Sequence, residues 1–345
     1  MRRRLMDNAQ FDDVIRGLVE GRTSRRDAIR RLASVPLGLL SGQRLVVAAA
    51  APNSCKKIKN KKRRKKCKKG QAHNGNPPAP TATATLLAAG DIASCSSNGD
   101  EATAALLDGL SGTIATLGDT VYEDGTAQQF SECYNPSWGR HKSRTRPAPG
   151  NHDYHTNGAA GYFAYFGAAA GDPKTGYYSY DLGAWHIIAL NSNCDEVGGC
   201  GAGDPQEQWL RADLAAHPTS CTLAYWHHPR FSFGNYGNNT ATQALWQGLY
   251  DAGAEIVLSG HDHNYQRYAP QDADGKRDAR GIREFVVGTG GRGHYSLDNP
   301  PPNVEAYNDN AFGILQLTLR AQGYDWTFVP EAGKSFTDTG SGTCH

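Results

Sequence analysis

Aspartates, histidines, one asparagine and one tyrosine fall in five short strings of this 345-residue chain, each set at a Gly- or Pro-marked turn. The strings are Gly90-Asp91, Gly118-Asp119-Thr120-Val121-Tyr122, Gly150-Asn151-His152-Asp153, His227 with Pro229, and Gly260-His261-Asp262-His263. Asp91 and Asp119 supply carboxylates, one of which could bridge two cations. Asn151 supplies an amide oxygen, and His227, His261 and His263 supply imidazoles. Oxygen and nitrogen donors without thiolate suit zinc, manganese or iron. Two such cations roughly 3.5–4 Å apart can clamp the attacking and leaving oxygens of a phosphate ester. Period-two alternation would put His261 and His263 on one side of an extended segment.

These groups need a scaffold that brings five distant turns together. Most of the turns follow apolar runs that read as strands: Thr85–Ala89, Thr113–Leu117, Cys221–Trp226 and Glu255–Ser259. Groups just past the carboxyl ends of strands in an α/β sheet converge on one crevice. Helical stretches are expected over Asp100–Leu110, Pro205–Ala216 and Thr240–Ala252, with Asp204 as N-cap of the second and Pro205 at its first position. Tyr177–Tyr180 and Trp185–Leu190 read as a strand pair, and Phe312–Leu319 with Tyr324–Val329 as a hairpin. From Thr83 onward, alternating strands and helices predict one α/β domain of about 260 residues. A C-terminal tail is expected over residues 331–345.

The formal charge of +2 conceals a strong segregation. Residues 1–76 hold 21 Lys and Arg against 5 Asp and Glu, leaving 15 basic and 29 acidic residues over 77–345. An acidic catalytic part lacks the basic face that phosphate-backbone binding needs, so no nucleic-acid partner is expected. Residues 1–51 read as a twin-arginine-type export signal: Arg25-Arg26 after Thr23-Ser24, the mild apolar stretch Leu32–Leu40, then Ala48–Ala51 as a cleavage region. The apolar stretch is too short for an ordinary membrane span, so no transmembrane anchor is expected after its removal. Residues 52–82 form a basic arm and linker, with 11 Lys and Arg between Cys55 and Lys69. Such a run repels itself, and either serves as a spacer or contacts an anionic cell-surface polymer over residues 55–69. Eight cysteines without a Cys-x-x-Cys suggest disulfides and an oxidising, exported location. Cys55–Cys67 and Cys194–Cys200 are plausible local pairs, leaving Cys95, Cys133, Cys221 and Cys344 for longer loops.

Over residues 83–330 the ordered set of five strings resembles the calcineurin-like metallophosphoesterases, and within them the purple acid phosphatases. The first motif of the broad superfamily is Asp-x-His, but here the third position is Ala93. Tyr122, three residues after Asp119, instead matches the Gly-Asp-x-x-Tyr of purple acid phosphatases, in which a tyrosinate binds ferric iron. The resemblance implies a four-layer α/β/β/α sandwich. It also implies an Fe(III) site of Asp91, Asp119, Tyr122 and His263, and a Zn, Mn or Fe(II) site of Asn151, His227, His261 and the bridging Asp119. The family pattern His-x-Pro selects His227 over His228. His152 would face the phosphate of a small phosphate-ester substrate, oriented by a hydrogen bond from Asp153, and a metal-bound hydroxide would attack phosphorus.

The plant-like members carry histidines shortly after the fourth motif, whereas Phe231–Tyr236 has none. The general acid is therefore open between His152 alone, His155 and His294. Arg267 and Tyr265 are further candidates for substrate contact, and Gly288–Gly293 reads as a loop beside the crevice. The expected activity is phosphomonoester hydrolysis outside the membrane. The alternatives are a phosphodiesterase and, in another class, a non-catalytic surface-binding protein acting through its basic arm.

Overall fold

The computed structural model describes residues 83–219 and 221–345. The expected signal segment, basic arm and Cys55–Cys67 pair lie outside the described residues.

Fifteen strands are formed among the described residues: β1 (Ala84–Ala89), β2 (Ala93–Ser94), β3 (Thr113–Leu117), β4 (Val121–Tyr122), β5 (Thr145–Ala148), β6 (Tyr178–Leu182), β7 (Trp185–Ala189), β8 (Thr222–Tyr225), β9 (Ile256–Ser259), β10 (Tyr265–Tyr268), β11 (Arg283–Val287), β12 (Val304–Asn308), β13 (Gly313–Arg320), β14 (Gly323–Pro330) and β15 (Thr339–Thr343). The longer helices are α1 (Gly99–Gly109), α2 (Ala160–Phe166), α3 (Pro205–Ala216) and α4 (Gln243–Asp251). Beside a separate parallel pair of β2 with β4 there are two large sheets, one running β15-β14-β13-β1-β3-β5 and the other β12-β10-β11-β9-β8-β7-β6. Their centres are parallel, β1-β3-β5 in the first and β7-β8-β9-β11 in the second, with antiparallel pairs outside them.

Side-chain alternation explains the layering. Ile187, Leu223, Ile256 and Leu258 of the second sheet share one buried cluster with Leu86, Leu117, Leu315 and Leu317 of the first. The neighbours of opposite parity, Ile188, Ala224, Val257 and Val286, pack instead with Leu210 of α3 and Leu245, Trp246 and Leu249 of α4. Strands buried on both faces read as continuous apolar runs because both parities are covered. The result is the helix/sheet/sheet/helix sandwich that the resemblance implied.

Several local details differ from expectation. The Asp204 side chain does not cap α3; its Oδ2 accepts from Gly201 N at 2.7 Å, while Glu207 takes Gly203 N at 3.0 Å. The helix expected from Thr240 begins as a 3-10 turn over Thr240–Thr242 before α4. Within the expected tail, β15 pairs with β14 at the sheet edge. Its Thr-Gly-Ser-Gly-Thr sequence carries no apolar alternation. The strand forms because Gly340 and Gly342 leave room for the rings of Trp326 and Tyr324, whose atoms lie 2.2 and 2.4 Å from where a Cβ would sit.

All six described cysteines are paired: Cys194–Cys200, Cys95–Cys133, and Cys221–Cys344, the last anchoring the chain end beside β15. Among the described residues no helix is long and apolar enough to cross a membrane.

Candidate metal centre

The carboxyl ends of the parallel strands of both sheets meet at one place. Asp91 follows β1, Asp119 follows β3, Asn151 follows β5, His227 follows β8, and His261 and His263 follow β9. Backbone hydrogen bonds sew the turns together: Asp91 N to Gly118 O at 3.1 Å, Gly260 N to His227 O at 2.9 Å, and Gly90 N to Val287 O at 2.9 Å. Asp91, Asp119 and His261 all have positive φ, at 60°, 47° and 69°. That conformation is uncommon for residues with a Cβ and concentrates at functional sites. Gly118 has φ +84°, and a Cβ there would sit 2.5 Å from His227 Nδ1, so this turn needs glycine.

Two donor groups share one carboxylate. In the first, Tyr122 Oη lies 2.9 Å from Asp91 Oδ1, 2.9 Å from Asp119 Oδ2 and 3.1 Å from His263 Nε2. In the second, His227 Nε2 lies 3.0 Å from Asn151 Oδ1, 3.3 Å from Asp119 Oδ2 and 3.2 Å from His261 Nδ1. Asp119 Oδ2 is common to both. Its other oxygen accepts from His152 N at 2.8 Å, and Asp91 Oδ2 accepts from His261 N at 2.8 Å. The other His227 nitrogen donates to Leu117 O at 2.8 Å, because a carbonyl can only accept.

Each half therefore gathers acceptors around one central donor: Tyr122 Oη faces the Asp91 and Asp119 carboxylates, and His227 Nε2 faces Asn151 Oδ1, Asp119 Oδ2 and His261 Nδ1. The titration behaviour follows. Burial first, then Asp119 and Asp91, pushes the Tyr122 phenol well above its ordinary value. Burial opposes charge on His227, but the Asp119 carboxylate outweighs it and raises the imidazole to about 9. Burial likewise opposes ionisation of Asp119, yet His227 and His152 hold it well below the usual carboxylate range. Burial, then His228 and His227, depresses His261, which offers a lone pair. A cation replacing each central proton would satisfy all the acceptors at once, so the residues present fit a pair of metal ions.

The expected ligands Asp91, Asp119, Tyr122, Asn151, His227, His261 and His263 are thus brought together. His261 and His263 reach opposite halves because the segment is curled rather than extended, with Asp262 N bonded to Gly260 O and Asn264 N to Asp262 O. Asp262 holds the curl from beneath, accepting from Ser232 Oγ and from Tyr236 N.

Other expectations are corrected. Asp153 does not hold His152: His152 Nδ1 donates to Glu123 O at 2.6 Å, while Asp153 Oδ2 accepts from Gly150 N at 2.8 Å. Asp153 is fully buried, and burial followed by the nearby Asp119 raises it to about 7. Arg267 and Tyr265 do not face the crevice. Both sit in β10 and bond to Asp338, Arg267 through Nε at 2.7 Å and Tyr265 through its hydroxyl at 2.7 Å, with Glu305 also on Arg267. His294 stacks on Phe312 at 4.1 Å, outside both donor groups. His155 stands at the rim, 4.5 Å from the His152 ring and 2.9 Å from Glu123 O.

Four side chains at the centre are given no role by the sequence. Arg292 lies over the Tyr122 ring at 5.0 Å and pairs with Glu123 at 2.6 Å, carried by the glycine-rich loop whose Gly290 N bonds to Gly90 O. Tyr295 stacks on His263 and Tyr236 packs on His261, each at 4.1 Å. His228 packs against His227 and His261 at 4.9 and 4.5 Å. A glycine loop after a strand was the one available signal for Arg292; Tyr236 and Tyr295 come from loops without a motif, and His228 stands at the unspecified position of the His-x-Pro string.

A four-layer sandwich with a cation-fitting donor set at its strand ends is the metallophosphoesterase fold. The chain belongs to the calcineurin-like phosphoesterase family, whose model matches residues 84–265, more than half of it. Its similarities lie on the purple acid phosphatase side of that family. Purple acid phosphatase 22 of Arabidopsis thaliana is 28% identical over 153 residues, covering 41% of this chain and 34% of its own. An uncharacterized protein of Mycobacterium tuberculosis is 29% identical over 147 residues, covering 36% and 28%. This chain thus spans about a third of the length of the curated relatives it matches. Among solved structures, the purple acid phosphatase PPD1 from yellow lupin (Lupinus luteus) seeds superposes with TM-score 0.62 at 16% identity, covering 77% of this chain and 54% of that one. GAP50, the anchor in the inner membrane complex of Plasmodium, gives 0.59 at 12%, covering 76% and 89%. At such identities the two structures share only the fold.

Proposed function

We propose that the chain is an exported dimetal phosphoesterase that hydrolyses small phosphate monoesters. The observation that carries this reading is Asp119 Oδ2, shared between two groups of converging acceptors at the strand ends. Asp91, Asp119, Tyr122 and His263 would hold Fe(III), and Asp119, Asn151, His227 and His261 would hold Zn, Mn or Fe(II). Two cations there supply Lewis acidity, offsetting phosphate charge and acidifying water near neutral pH.

The chain's own residues do the positioning. The His152 backbone N–H aims Asp119 so that Oδ2 serves both halves. Glu123 O accepts from His152 Nδ1 and fixes the ring beside Tyr122 at 4.3 Å, so that a doubly protonated His152 would donate from Nε2 to a phosphoryl oxygen. Asp153 ties the Asn151 turn to the Asp119 turn through Gly150 N and Thr120 N. Export is supported by the three disulfides of the described residues and by the twin arginines near the N-terminus. The basic residues 55–69 would serve as a spacer or contact anionic polymer at the cell surface.

The test is purification with iron, metal analysis, a visible spectrum, and turnover of p-nitrophenyl phosphate against bis-p-nitrophenyl phosphate. Two metals, a tyrosinate-to-iron band lost in Tyr122→Phe, and faster monoester turnover are expected. Faster diester turnover would replace the monoesterase reading. No metal and no turnover would sink the enzyme reading, leaving a surface binder, which deletion of residues 52–76 would disable.

A further inference from the structure

His228 follows a proposed ligand and fills the unspecified middle position of the His-x-Pro string, and the structure surrounds it with more organisation than packing requires. Ser192 Oγ accepts from His228 N at 2.9 Å and stands 2.8 Å from His228 Nδ1. Among the described residues the Ser192 hydroxyl proton has no acceptor but that nitrogen. The hydroxyl therefore donates to Nδ1, and the ring proton resides on Nε2. Ser192 is itself held in place. Its neighbour Asn191 is locked by Gln206, which accepts from Asn191 N at 2.7 Å and donates to Asn191 O at 2.8 Å. On the other side Cys194 is tied to Cys200. The ring so oriented lies against His227 and His261, on a side chain that keeps partial exposure.

We propose that His228 is a hydrogen-bond donor to the phosphoryl oxygens of the substrate at the His227/His261 half of the site, with Ser192 as the residue that positions it. The proposal rests on the phosphoesterase reading above. An N–H at this place does what a second metal ligand could not: it contributes a donor without competing for the cation. It also gives the crevice a phosphate contact on the side away from His152, which the Tyr122 ring places at the other half.

The experiment uses the full chain loaded with manganese, measuring metal content, inorganic-phosphate affinity, and KM and kcat for p-nitrophenyl phosphate. In His228→Ala, phosphate affinity is expected to fall roughly 10- to 100-fold, the range of a hydrogen bond to a charged group. KM should rise more than kcat falls, with two metals retained per chain. His228→Gln, which keeps an N–H near the same point, should recover part of the loss, a rescue that packing alone would not produce. Ser192→Ala should weaken phosphate severalfold by freeing the ring. Loss of one metal equivalent in His228→Ala would make the residue a ligand and overturn the proposal. Unchanged phosphate affinity in both His228 variants would also overturn it, while wild-type turnover left the enzyme reading intact. A wild-type chain that binds neither manganese nor phosphate would overturn both.

Discussion

Two clusters among the described residues bring histidine and aspartate within metal-binding distance of one another, and they are built on opposite logic. At the crevice, Asp91, Asp119 and His227 converge past the carboxyl ends of parallel strands. At the other end of the second sheet, His186 near the start of β7 meets Asp213 and His217. In that cluster every donor has an acceptor. His186 Nε2 bonds to Asp213 Oδ2 at 2.8 Å and Nδ1 to Asp181 Oδ1 at 3.0 Å. Ser179 Oγ donates to Asp213 Oδ1 at 2.9 Å, and the His217 ring stacks on His186 at 4.5 Å. The set closes on itself, so a cation would have to displace hydrogen bonds already made. The crevice has the reverse arithmetic, more than one acceptor around each central proton. Proximity of ligand residues is thus a weak criterion, and a mismatch between donors and acceptors is the stronger one.

The largest effect that separates the clusters should come from the shared carboxylate. Asp119→Ala removes a contact from both halves and is expected to lower kcat/KM by about a thousandfold or more, ~4 kcal/mol, with metal content falling below one per chain. Asp213→Ala should leave turnover per folded molecule unchanged. It should cost roughly 1–3 kcal/mol of stability, because the His186 Nε2–H is left buried without its partner. Denaturation and kinetics on both variants check this; loss of metal from Asp213→Ala would break the comparison.

Cation binding gives a second, smaller separation. Added manganese or zinc at about 100 Kd should stabilise the native protein by ~2.7 kcal/mol. The gain should vanish in Asp119→Ala and persist in His186→Ala, read as thermal shifts with and without chelator. A persistent shift in the first variant, or a lost one in the second, would move the cation to the other cluster.

The metal-free protein should also carry a pH signature of the crevice. Burial raises folded Asp153 to about 7 from an ordinary value of 3.8. Between these values the folded state binds more protons than the unfolded one, so this group makes stability fall as pH rises, with the loss complete above about 7. Asp153→Asn keeps an oxygen for Gly150 N and should flatten that slope. Urea denaturation at pH 5 and pH 8 with chelator present measures it; an unchanged slope would assign the dependence elsewhere.

How much of this was legible in the sequence depends on whether the signal was local. Asp91, Asp119, His227 and His261 could be read because each follows a strand-like apolar run through a glycine or beside a proline. The strand order placing β1 next to β13 could not, since that pairing joins residues more than 200 positions apart. The role of Asp153 was misread because the carbonyl that orients His152 belongs to Glu123, and backbone acceptors carry no residue-type signal. Arg267 looked like a crevice residue from its distance to His263. Yet four residues along a strand carry the chain away from the site, to a partner, Asp338, contributed by the supposed tail. Strand β15 was invisible because its glycines fit aromatic rings that only the fold brings to them.

The smallest effect tests the interior logic of the closed cluster. His186 is gripped by two carboxylates of different exposure: the Asp181 side chain is 69% exposed and that of Asp213 only 9%. If the closed set is stable because its buried pair is satisfied, Asp181→Ala should cost no more than about 1 kcal/mol, since water can replace an exposed acceptor and salt screens the pair. The cost should shrink further in high salt, while that of Asp213→Ala should not. Equal penalties for the two variants would mean that His186 needs both carboxylates as counter-charges. The distinction from the crevice would then rest on position at the sheet end rather than on hydrogen-bond balance.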